Sequence, residues 1–178
     1  MDDPYVGREQ TKAKHFILRG YLQELAFKVL NHWDITYVDG FSGPWKSQTD
    51  NFCDTSFMIA IEVLQDAQRK ILERTGVRRT IKCFFSENDG RTYEELVRAV
   101  APFHRPDERF EIVTYAGTFE SAVPRINEFI GSSFPWIFID PTGWTGFGFQ
   151  NIRSIFQAKK CEVVINYMYD HITRLERP

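Results

Sequence analysis

The chain is poor in cysteine. Its three, Cys53, Cys83 and Cys161, lie far apart, and no CxxC or Cys/His ligand pair exists. That argues against a disulfide framework and a structural zinc site. Cys83 and Cys161 fall in apolar, strand-like stretches and are expected as buried thiols. No apolar run approaches the roughly 18 residues of a membrane-spanning helix. The opening MDDPYVGREQTKAK lacks the apolar centre of a signal peptide, so a cytoplasmic location is expected. Neither sign of charge dominates: 22 Lys and Arg face 24 Asp and Glu, a net charge of −2. A uniformly basic nucleic-acid binder is excluded, a local basic patch is not. GxGxxG and the phosphate loop ending in GK[ST] are missing, which removes the main support for a dehydrogenase or an ATPase. Ser42 has no G-x-S-x-G frame, so a hydrolase elbow is unsupported.

What the chain does have is length and aromatic bulk. With 178 residues, 16 Phe and 4 Trp, it reads as one domain over residues 1–178. Such a domain buries about 68–70% of its unfolded surface without a covalent staple. Helical and extended patterns alternate. Helices are expected over residues 11–31, 55–74, from Asp89 or Gly90 to Pro102, over 121–130 and over 150–158. Strands are expected over 35–39, 80–86, 110–115, 136–140 and 162–167. Pro124 belongs in a first turn, which favours Ser121 over Thr118 as the fourth helix's cap.

Strands alternating with helices predict an α/β fold with a parallel sheet covered on both faces. WIFI and VVI are continuous apolar runs, as strands buried on both faces require. Right-handed crossovers then give a doubly wound sheet of order 3-2-1-4-5. Its ligand site lies beyond the strands' C-terminal ends, between the first and fourth strands. The two most unusual loops follow those strands: Asp39-Gly40-Phe41-Ser42-Gly43-Pro44-Trp45 and Asp140-Pro141-Thr142-Gly143-Trp144.

The first loop suits a backbone that approaches a ligand closely, or is simply a tight strand-to-helix turn. Glu87, followed by Asn88, ends the second strand, where a carboxylate can accept from both ribose hydroxyls or face solvent. Asp140 can hold an amine or act as a base, or form an Asx turn. Trp144 can stack on a planar substrate or pack in the core. His15 sits among polar residues that read as a solvated first helical turn.

Several stretches together resemble a known family. These are Lys14-His15-x-Ile17-Leu18-x-x-Tyr21-Leu22, the segment from Thr36 to Trp45, Asp54-Thr55-Ser56-Phe57, Phe138-Ile139-Asp140-Pro141-x-Gly143-Trp144 and Ile165-Asn166-Tyr167-Met168-Tyr169. They resemble the three-Cys-motif partner proteins, a branch of the Rossmann-like S-adenosylmethionine-dependent methyltransferases, and run in the same order over nearly the whole chain. The resemblance implies that Asp39, Gly40, Phe41, Ser42 and Gly43 form the methionine-side cofactor loop. It implies that Glu87 binds the ribose, with Asn88 beside it among the cofactor-binding residues, and that Thr118 lies near the adenine. Asp140 and Pro141 would match the start of the motif that holds a target amine, with Trp144 as its aromatic one place late. Trp45 stands where related enzymes often place a glycine, and Thr142-Gly143-Trp144 replaces their second proline and aromatic.

Two functions follow as expectations. One is an S-adenosylmethionine-dependent methyltransferase acting on a nucleic-acid amino group, with the base flipped or single-stranded. The other is a non-catalytic module of the same fold that partners a radical-SAM-like three-Cys-motif protein. Any nucleic-acid contact is expected through Lys12, Lys14 and Arg19, helped by Arg78 and Arg79. The resembled fold continues past the fifth strand, so the domain is expected to lack its C-terminal strands. The exposed fifth-strand edge would then invite self-association.

Overall fold

The computed structural model describes residues 4–44, 47–141, 148–157 and 160–166. Five strands form one sheet: β1 (Ile35–Asp39), β2 (Ile81–Glu87), β3 (Phe110–Ala116), β4 (Phe134–Ile139) and β5 (Glu162–Ile165). Every pairing is parallel and the order is β3-β2-β1-β4-β5. The helices are α1 (Glu9–Val29), α2 (Ser56–Thr75), α3 (Gly90–Val100), α4 (Phe119–Ile130) and the single turn α5 (Phe149–Ile152), which runs on as a 3-10 segment, Arg153–Gln157. This is a Rossmann-like doubly wound fold.

Side chains alternate along each strand, and the sheet has a core on each face. Ile35, Tyr37, Cys83, Phe85, Trp136 and Phe138 meet α1, α2 and α3. Val38, Phe84, Ile137 and Ile139 meet α4 and the segment after it. Thr55 caps α2, its hydroxyl accepting from the Met58 N–H, and Gly76 closes that helix at φ 70°, where glycine carries no Cβ penalty. Asp89 caps α3 in the same way through the Thr92 N–H.

Three expectations are corrected. Thr118, not Ser121, caps α4: its hydroxyl accepts from the Ser121 N–H at 3.2 Å. Pro124 therefore sits inside the helix, where the acceptor it leaves without a donor is the carbonyl of Glu120, close to the helix start. β4 begins at Phe134 and contains Pro135. The Phe134 N–H bonds to Asp34 on the β1 side, so position 135 faces β5, which starts only opposite Trp136. A proline costs no ladder bond there. Cys83 is buried as expected, but Cys161, beside the edge strand, is only partly so.

No helix among the described residues is long and apolar enough to cross a membrane. β5 does lie at the sheet edge, with Ile165 48% exposed. Trp45, the stretch Thr142-Gly143-Trp144 and everything from Tyr167 onward lie outside the described residues.

Candidate functional site

A helix that precedes β1 and packs antiparallel to it puts its own N-terminus at the C-terminal strand ends. α1 does this, and its start is drawn over the switch point between β1 and β4. Lys14 donates to the Asp140 Oδ2, forming an ion pair. Asn166, just past β5, donates to the Asp140 Oδ1 at 2.6 Å. Both carboxylate oxygens of Asp140 are thus held by the protein, one by a cation. His15 is buried, contrary to the reading of a solvated turn, and shares a 3.1 Å hydrogen bond with the Tyr5 hydroxyl through Nδ1. Burial, then the adjacent Lys14 ammonium, push its pKa down to about 4, so it is neutral at pH 7.

Asp39 ends β1 with no solvent exposure. Its Oδ1 accepts from the Phe41 N–H at 3.0 Å, and its Oδ2 from the Ser56 hydroxyl at 2.7 Å. No cation is paired with it among the described residues. Burial raises its pKa to about 6, against the opposing pull of those hydrogen bonds. The Tyr37 hydroxyl, one inward step back along β1, is buried with no hydrogen-bond partner among the described residues. Burial and the field of Asp39 push its pKa upward.

The loop after β1 is knitted to the sheet. The Gly40 N–H bonds to Phe138, and the Ser42 N–H to Ser86. The Ser42 hydroxyl bonds to the Asp39 carbonyl, and the Ser86 hydroxyl to that of Gly40. The Gly40, Phe41 and Ser42 amides are therefore spent internally. Gly40 is required by protein packing: a Cβ there would stand 2.6 Å from the Phe119 ring. Glu87 is 5% exposed. Its Oε1 accepts from the Asp89 N–H at 2.7 Å, and no donor to its Oε2 occurs among the described residues. Asn88 and Thr118 are exposed, and Pro141 is buried beside Asp140.

A cleft of about 830 Å³ opens next to this row, between the β1–α2 connection and the start of α3. That volume is typical of small-molecule sites. Pro44, Ser47, Gln48, Asp89, Arg91 and Thr92 are among its lining residues. None of the expected site residues lines it. Gly43 and Asn88 only precede two lining residues, Pro44 and Asp89, in the chain.

The loop beside the cleft is stapled by Asp54, whose side chain is fully buried. It accepts from Arg8 at 2.7 Å, Ser47 at 2.5 Å, Thr49 at 2.9 Å and the Gln48 N–H at 3.0 Å. Burial works to raise its pKa, but these donors, the Ser47 hydroxyl foremost, outweigh it and hold the pKa down to about 2. Within the loop Phe52 has φ 57°, a strained value for an aromatic residue.

The expected basic patch is not assembled. Arg78 and Arg79 precede β2, at the opposite end of the sheet from Lys12 and Lys14. Arg79 donates to the carbonyls of Leu30 and Asn31, Arg78 meets Glu108 and Arg19 meets Glu62.

Lys14, Ser56 and Asn166 belong to the stretches that carry the family resemblance, yet their roles at Asp39 and Asp140 escaped the sequence. The one available signal was topological: a helix before β1 must begin over the strand ends. Comparison with protein-family models and with curated proteins returned no match. The class is therefore defined by architecture: an α/β domain with a five-stranded, all-parallel, Rossmann-like sheet and carboxylates at the ends of β1, β2 and β4.

Proposed function

We propose that the chain is an S-adenosylmethionine-dependent methyltransferase domain whose acceptor is an amino group. The observation that carries this reading is Asp39: a fully buried carboxylate at the switch point, hydrogen-bonded yet without a cation among the described residues. A carboxylate perturbed by burial at the switch point of a doubly wound sheet is a candidate for a binding site. Its field favours a cationic ligand, and S-adenosylmethionine carries both an ammonium and a sulfonium. The Oε2 of Glu87, without a donor among the described residues, suits a ribose hydroxyl, and the Asp140 carboxylate suits an amine. When bound, the cofactor supplies an electrophilic methyl group. The chain's own part is to orient the amine at Asp140 and to exclude water beneath α1. Lys14 has to leave Asp140 for an amine to take its place. The dispersed cations do not single out nucleic acid as the source of that amine.

The closure of Asp140 by Lys14 and Asn166 favours a second reading, a non-catalytic module that binds the cofactor or a three-Cys-motif partner. Calorimetry with S-adenosylmethionine, S-adenosylhomocysteine and ATP tests the first step. The two adenosyl compounds should bind and ATP should not. S-adenosylmethionine should bind more tightly as pH rises through about 6, as Asp39 ionises. Absence of binding overturns both cofactor readings. Binding without methyl transfer to adenine-containing oligonucleotides or small amines supports the module.

A further inference from the structure

Lys14 places an alkylammonium on Asp140. Its Nζ donates to the Oδ2 while Asn166 holds the Oδ1. A second carboxylate stands on the same side of the sheet. Asp39 is in register with Phe138, and Asp140 follows Phe138 by two residues, so the two acids share a face. Ser56 of α2 reaches Asp39, and Lys14 of α1 reaches Asp140. Asp39 lies in the field of Asp140, and the Tyr37 hydroxyl lies in the field of both. The neighbouring Arg8 is matched by Asp54, and His15 is neutral at pH 7. Among the described residues, two carboxylates therefore face one ammonium at this place.

That balance decides what can replace Lys14. An ammonium exchanged for an ammonium leaves the local charge as it was. The neutral amino group of a nucleobase would leave one fully buried and one half-buried carboxylate with no cation, which desolvation penalises heavily. A nucleic acid would also carry its phosphates into a negative field. Lys14 has a way out, since its side chain is 25% exposed and its stem can carry the ammonium into water.

We infer, resting on the proposed function for the methyl transfer alone, that Asp140 selects an aliphatic primary ammonium, the group shared by polyamines and lysine side chains, over the amino group of a nucleobase. Lys14 is the tethered competitor that such a ligand displaces. Once the ammonium has released one proton to solvent, Asp140 still accepts from a remaining N–H, and the nitrogen lone pair is free for the methyl group.

Calorimetry near neutral pH, on the chain without added cofactor, tests this with n-butylamine, putrescine, Nα-acetyl-lysine amide and adenosine. The three alkylamines should bind Lys14→Met about fivefold more tightly than the native chain, because a tethered competitor is removed. Lys14→Gln, a second neutral variant, should show the same gain. Asp140→Asn keeps an acceptor for Asn166 and should abolish it, because the ionic hydrogen bond is lost. Adenosine should show no gain. The inference is overturned by an equal gain for adenosine, by no gain in either Lys14 variant, or by a gain that survives Asp140→Asn. Tighter binding of putrescine assigns the ammonium to a polyamine, and tighter binding of the lysine amide to a protein side chain. The expected pattern in a chain that does not bind S-adenosylmethionine overturns the methyltransferase reading and leaves the ammonium site standing. Methyl transfer to adenine and not to an alkylamine does the reverse.

Discussion

Lys14 and Asp140 stand 126 residues apart in the chain and form an ion pair across the top of the sheet. Their side chains are 25% and 15% exposed, so the pair is shielded but not sealed. Lys14→Met should cost about 1 kcal/mol, between the values of exposed and buried pairs, read by urea denaturation. If Asp140 receives an amine, the same variant should strengthen binding of a primary-amine probe while cofactor affinity holds. A loss of amine binding would assign Lys14 to the substrate contact itself.

Asp39 makes stability depend on pH. Its folded pKa is about 6 against an ordinary 3.8, so the folded state holds a proton that the unfolded state has released between those values. Stability is full below about pH 4, falls as pH rises through 6 and stays lower above it. At about 1.4 kcal/mol per unit, the cost is about 3 kcal/mol. Asp39→Asn keeps an acceptor for the Phe41 N–H and should flatten the profile, gaining up to that amount at pH 7. Denaturation midpoints at pH 4.5, 5.5 and 7 check it. A parallel profile in the variant would assign the pH dependence to another group.

Asp54 acts with the opposite sign. With its pKa held near 2, it contributes stability above about pH 4 that is lost as pH falls toward 2. Asp54→Ala strands Arg8 and releases the strained turn at Phe52. The expected loss is about 3–5 kcal/mol, the usual cost of breaking a buried charge cluster. Proteolysis should then cut first within residues 47–52.

Gly40 and Phe119 should couple. Gly40→Ala drives a methyl into the Phe119 ring, costing about 1–3 kcal/mol as overpacking does. Phe119→Leu makes room for that methyl, so a double-mutant cycle should show compensation of about 1 kcal/mol. Purely additive losses would mean the loop yields elsewhere.

Tyr37→Phe removes a buried hydroxyl that has no partner among the described residues. The change should be neutral or stabilising by up to about 1 kcal/mol, because a desolvated group is removed. A clear drop in melting temperature would reveal a partner at that hydroxyl, the neighbouring Asp39 carboxylate first.

The sheet was legible because its signals are local. Continuous apolar runs such as Trp136 to Ile139 mark strands buried on both faces, and the alternation with helices leaves few topologies. The cap of α4 was misread because a rule about Pro124 outweighed the hydroxyl of Thr118, although a single carbonyl near a helix start tolerates losing its donor. The site was legible only in outline. Asp39, Glu87 and Asp140 could be placed at strand ends, but what holds them comes from Ser56, Lys14 and Asn166 on other elements. Gly40 shows the limit from the other side: a glycine in a loop reads as an invitation to a ligand, and here the close neighbour is the protein's own phenylalanine.

The central position of β1 also bears on how the molecule is assembled. During synthesis β1 emerges well before β4, because Ile35 pairs with Phe134 and almost a hundred residues must intervene. Until then one backbone edge of the most buried strand is bare. Such non-local parallel pairing folds slowly, and a bare edge is a template for strands of other chains. A nascent chain arrested before residue 134 should therefore depend on chaperones far more than one arrested after residue 140.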